Sequence, residues 1–109
     1  MKNNYTFEEK IDRIKAAILE YVPAKYIYLF GSYVYGTPTE ESDIDIFAVI
    51  PDDKTDMFLY SNIIYNLWNQ DIITIDLHLY YEKDFMARKE GSLFVRTICN
   101  KGKLLYESH

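Results

Sequence analysis

The sequence predicts an α/β domain (α+β), a small mixed β-sheet flanked by helices. Segments with helical periodicity alternate with short runs of branched and aromatic residues, and no repeat, long linker or low-complexity tail interrupts them. A composition of 49% hydrophobic and 27% charged residues, with four Gly and three Pro, excludes a disordered or fibrous chain. At 109 residues the chain has room for one core, so residues 1–109 are expected to form a single domain.

Thr6 stands three positions ahead of Glu9 in a capping-box pattern, and Phe7, Ile11, Ile14 and Ile18 give the first helix one apolar stripe. Pro23 turns the residue before it away from helical angles, so KYIYLF, residues 25–30, begins the sheet. GSYVYGTPTEES, residues 31–42, is a tight turn with room for one short helical turn, then a loop. DIDIFAVI, residues 43–50, forms the second strand and closes at PDDKTD. Residues 54–69 are expected to be helical, with Phe58, Ile64, Leu67 and Trp68 contributing much of the buried surface.

IITIDLHLYY, residues 72–81, is the third strand, with Ile73, Ile75, Leu77 and Leu79 on one face and Thr74, Asp76 and His78 on the other. From Glu82 to about Asn100 helical spacing returns, split near Gly91 and Ser92, with Phe85, Leu93, Phe94 and Ile98 available for packing. Gly102 ends that helix before a short last strand, KLLYE.

Lys and Arg number 12 against 17 Asp and Glu, a net charge of -5, and no basic run offers a footprint for duplex DNA. Cys99, the one cysteine, excludes an intrachain disulfide and a thiolate metal cluster, and is expected to fill the core. MKNNYTFEEK lacks the pattern of a signal peptide, and no apolar run approaches the roughly 20 residues that span a bilayer. A soluble cytoplasmic protein with no membrane partner is expected.

Asp43 and Asp45 stand at the entrance of an otherwise apolar strand, where a carboxylate is costly unless paired or bound to a cation. Two residues apart, they project to one face and repel each other unless a cation or protons intervene. Asp76 is a third acid inside a strand, which a solvent-facing edge strand would also explain. If the two strands are neighbours, three carboxylates converge on a site of hard oxygen ligands suited to magnesium or manganese. Gly31 permits a close backbone approach, and the Ser32 hydroxyl with the amides of the following turn can grip a phosphate. Neither a Walker A loop nor a GxGxxG fingerprint is present.

The ordered run GSYVYGTPTEESDIDIFAVI resembles the nucleotidyltransferases related to DNA polymerase β, in particular the minimal nucleotidyltransferase domain of prokaryotes. That family is recognised by Gly-Ser, a second glycine, Asp-x-Asp on a strand and a third Asp on a later strand, which match Gly31, Ser32, Gly36, Asp43, Asp45 and Asp76. The resemblance in layout runs from Lys25 to Tyr106 and implies a polymerase β-like fold. It also implies that Gly31 and Ser32 hold the β and γ phosphates of ATP, that Asp43 and Asp45 ligate two Mg2+ ions, and that Asp76 joins the catalytic ion and helps accept a proton.

The same resemblance implies a magnesium-dependent transfer of AMP to a hydroxyl, with a protein tyrosine as acceptor. Small members of the family are often encoded beside a HEPN-domain toxin, and some neutralise it as antitoxins by adding AMP, so a HEPN partner and a hetero-oligomer are implied. Close relatives often carry an arginine soon after Gly-Ser, where this chain has Tyr33 and Tyr35; Lys54, Arg88 and Lys89 are cations available to compensate. Two other functions stand beside transfer to a protein. One is a scaffold that neutralises a partner by binding alone; the other is modification of a small molecule, which usually requires an added acceptor-binding domain. Tyr26, Tyr28, Tyr80 and Tyr81 are expected to pack in the sheet, whereas Tyr33 and Tyr35 flank the proposed nucleotide site. His78 shares a strand face with Asp76 and can touch the site, but His with one Asp makes a poor zinc site and ordinary strand packing is the expected role.

Overall fold

The structure is a computed structural model and describes residues 4–39 and 41–108. In chain order the elements are α1 (Phe7–Tyr21), β1 (Tyr26–Phe30), α2 (Ser32–Tyr35), β2 (Ile44–Ile50), α3 (Leu59–Asn69), β3 (Ile75–Tyr81), α4 (Glu82–Arg88), α5 (Leu93–Lys101) and β4 (Lys103–Glu107). The sheet order is β3-β2-β1-β4. β1 runs antiparallel to β2 and to β4, whereas β2 and β3 are parallel, with α3 inside the connection that parallel pairing requires. The sheet is therefore mixed and flanked by helices, as the sequence predicts.

α1 starts at the expected capping box: the Glu9 amide donates to Thr6 Oγ1 at 3.1 Å and the Thr6 amide donates to Glu9 Oε1 at 3.2 Å. Its stripe of Ile11, Ile14 and Ile18, joined by Ala17, packs with Ile63 and Leu67 of α3 against Ile44, Ile46, Ala48 and Ile50 of β2. The alternate residues of β2, Phe47 and Val49, meet Phe30, Phe85, Val95 and Ile98 on the opposite face. Thus β2 is covered on both sides, which is why its sequence is almost continuously apolar.

Some sequence expectations need correction. α3 begins at Leu59, not Lys54: the Asp56 carboxylate accepts from the Phe58 amide at 2.9 Å, and the Asp56 carbonyl accepts from the Leu59 amide at 3.1 Å, a turn that sets the start later. With that start, α3 buries Leu59, Ile63, Ile64 and Leu67, and leaves Phe58 and Trp68 exposed. β3 begins at Ile75, because the chain leaves α3 through Asp71 at φ 63 and through the Ile72 amide, which bonds back to the Leu67 carbonyl. Ile73 lies outside the strand and is exposed. In α5 the buried residues are Val95 and Ile98, while Leu93 is exposed and Phe94 lies at the edge of the aromatic layer.

Candidate active site

β1 ends at Phe30, and Gly31 follows with φ 79, in the region that favours glycine. A Cβ at Gly31 would collide with the Asp45 carboxylate, so this position is glycine both for its backbone angle and for the acid packed against it. The Val34 and Tyr35 amides both donate to the Gly31 carbonyl, at 3.0 and 3.1 Å, and the Gly36 amide donates to the Ser32 carbonyl at 3.1 Å. This closes α2 as a single turn whose first amides, those of Ser32 and Tyr33, have no acceptor within the helix. A Cβ at Gly36 would come within 2.9 Å of Ser32 Cα, so the second glycine keeps that turn tight.

Asp45 stands on β2 with Phe30 as its β1 partner and Asp76 as its β3 partner. In parallel register the two carboxyls share one face. Asp43, on the approach to β2, is exposed and contributes charge to the same neighbourhood. Burial pushes the Asp45 pKa up, and the negative charges of Asp76 and Asp43 push it further; His78 offsets part of the rise. A cation is the natural counterweight to such a cluster, and the donors are hard carboxylate oxygens. These residues fit magnesium in donor chemistry, although among the described residues no three His, Cys, Asp or Glu side chains form a ready-made ligand group.

His78 follows Asp76 by two residues on the same face of β3, and its Nε2 lies 3.3 Å from Asp76 Oδ2. The expected packing is present: its ring centroid is 5.5 Å from Phe30 and 5.6 Å from Phe94. Strand parity gives the shared face with Asp76, and the structure adds the distance that brings the two side chains into contact.

The tyrosines divide. Tyr33 stacks on Phe7 at 4.6 Å and 15°, which ties the turn to α1, and Tyr35 is exposed. Beside that turn, Phe7, Lys10, Tyr33, Ile44 and Thr74 line a groove, so α1 brings a lysine into the same groove as Tyr33 from a part of the sequence that motif spacing never touches. Lys54 lies instead past the far end of β2, Arg88 donates to Asp84 Oδ1 at 2.9 Å, and the Lys89 ammonium lies 5.8 Å from the centroid of the Phe85 ring. Cys99 packs against the aromatic layer, and burial pushes its thiol pKa up, consistent with a core filler. Among the described residues no helix is long and apolar enough to cross a membrane.

The family described as "Nucleotidyltransferase domain" matches residues 11–105. No curated protein matches the chain. A solved structure described as a toxin-antitoxin with AMP-PNP is 24% identical with a TM-score of 0.65, over 90% of this chain and 73% of that chain. Another, described as tri-AMPylated Shewanella oneidensis HEPN toxin in complex with MNT antitoxin, is 22% identical with a TM-score of 0.61, over 93% and 72%. A third, described as a mutant of the toxin-antitoxin MntA-HpeT, is 23% identical with a TM-score of 0.63, over 90% and 73%. These likenesses show a shared fold.

Proposed function

Because this chain belongs to the nucleotidyltransferase domain family, we propose that it moves AMP from ATP to a hydroxyl in a magnesium-dependent reaction. The acceptor in this reading is a tyrosine of a partner HEPN-domain toxin, which the transfer neutralises, so the chain acts as an antitoxin. The observation that carries the reading is the pairing of Asp45 with Asp76 across parallel strands, at a glycine turn that admits no side chain between itself and Asp45.

In the reaction, the acceptor hydroxyl oxygen bonds to the α phosphorus, the bond from that phosphorus to the β-phosphate bridging oxygen breaks, and pyrophosphate departs. Gly31, Ser32 and the first amides of α2 hold the β and γ phosphates. Asp76 accepts the hydroxyl proton. Asp43, Asp45 and Asp76 would hold Mg2+, which supplies neutralisation of charge between the acids and the triphosphate and stabilises the leaving pyrophosphate.

A partner protein suits the surface as well. From Met57 to Gln70 no side chain is charged, and Phe58, Tyr65 and Trp68 are exposed, with Tyr65 and Trp68 in an edge contact at 5.5 Å. Exposed aromatics of this kind are frequent anchors of protein interfaces. The relatives described as toxin-antitoxin complexes favour the same class of partner. A second reading, neutralisation by binding alone, draws on the same aromatic surface and on Tyr33 being occupied by Phe7.

Purified chain incubated with Mg2+, labelled ATP and a HEPN-domain protein encoded beside its gene should label that protein on tyrosine. No label on a folded partner overturns the transferase reading. Asp43→Asn with Asp45→Asn separates the two readings: neutralisation lost with the complex intact supports transfer, and neutralisation fully retained supports binding alone.

A further inference from the structure

We propose that His78 is a positioning residue for Asp76: its Nε2–H donates to Asp76 Oδ2 and fixes the carboxylate in the orientation that serves the cation and the acceptor hydroxyl. The proposal rests on the reading of Asp76 as a ligand. The imidazole Nε2 lies 3.3 Å from Asp76 Oδ2, and in its Nε2–H tautomer it donates to a carboxylate, which can only accept. Asp76 needs an orienting contact more than Asp45 does. Its side chain is 52% exposed and stands on an edge strand, whereas Asp45 is half-buried and held between Gly31 and the neighbouring strands.

His78 is suited to give that contact because its own ring has little freedom. It meets the ring of Phe30 edge-on at 63°, and Phe94 approaches at 53° from α5. Phe30 and Phe94 in turn meet each other at 5.5 Å and 89°. Three aromatic rings from β1, β3 and α5 therefore form one packed unit, and the imidazole nitrogen that faces Asp76 is its polar tip. A carboxylate held by a fixed donor enters a ligand set with less rotamer entropy to lose, and outer-shell donors of this kind contribute to metal affinity.

The test compares wild type with His78→Leu, which keeps apolar bulk between the phenylalanines, His78→Gln, whose amide nitrogen reaches near the Nε2 position, and His78→Asn, whose amide falls short of it. Calorimetry with Mg2+ and a non-hydrolysable ATP analogue should show affinity for the ion reduced about 10-fold in His78→Leu and His78→Asn and largely restored in His78→Gln. Melting temperatures report whether each variant is folded. In the metal-free wild type, nitrogen-15 spectra recorded above the titration range of imidazole should place the hydrogen on Nε2, and Asp76→Ala should shift that signal.

Equal Mg2+ affinity in wild type and folded His78→Leu overturns the proposal, as does a His78→Gln chain no better than His78→Asn, or a hydrogen found on Nδ1 alone. A wild-type chain that takes up no Mg2+ overturns the transferase reading and this proposal with it, which distinguishes the two failures.

Discussion

Asp45 is costly to the fold without a cation, because its carboxylate is half-buried among like charges and its pKa is raised. The native state then holds more protons than the unfolded chain between the ordinary carboxylate range and the raised value, so stability falls as pH rises through that window and stays lower above it. Asp45→Asn should raise the melting temperature of the metal-free chain at neutral pH, with the gain shrinking toward acid, as a pH series of thermal melts would show. The same substitution should lower transfer by more than about 100-fold, because it removes charge aimed at the reacting phosphate. Gly31→Ala forces a strained angle and pushes a methyl into Asp45; it should both lower the melting temperature and abolish transfer, whereas a neutral result would detach the turn from the site. His78 marks where single-residue reasoning stopped: its face is legible from strand alternation, and its hydrogen bond is not.

Local elements were legible where a specific side chain fixes their ends. Thr6 and Glu9 cap α1 as their spacing predicts, and Thr6→Ala should cost about 1 kcal/mol in denaturant melts. α3 shows the opposite case. Its apolar residues cover more of the helix than one stripe, so periodicity left several faces eligible for burial, and packing against α1 chose Leu59, Ile63, Ile64 and Leu67. Phe58 and Trp68 are the residues left over. In the partner reading they acquire a use: Tyr65→Ser with Trp68→Ser should weaken the complex with the HEPN protein by about 2 kcal/mol, roughly 30-fold, with little change in melting temperature. Unchanged affinity would place the interface elsewhere.

For the whole molecule, a net charge of -5 looks unfavourable for a triphosphate, yet part of it is concentrated in Asp43, Asp45 and Asp76. Mg2+ with a non-hydrolysable ATP analogue should therefore stabilise the chain by about 2.7 kcal/mol at 100 times the dissociation constant, and the shift should vanish in Asp45→Asn with Asp76→Asn. An undiminished shift in that variant would mean the nucleotide binds without these acids. From the sequence alone came the order of helices and strands, the capping box, the Gly-Ser turn and the acids out of place in apolar strands, because each is written in neighbouring residues. The tertiary structure decided that β2 and β3 lie parallel and in a register that sets Asp45 beside Asp76, that Gly31 seats Asp45, and that Lys10 and Phe94 arrive from distant elements. Strand order and register depend on how two faces of a sheet are buried at once, and that is settled by packing between segments far apart in the chain.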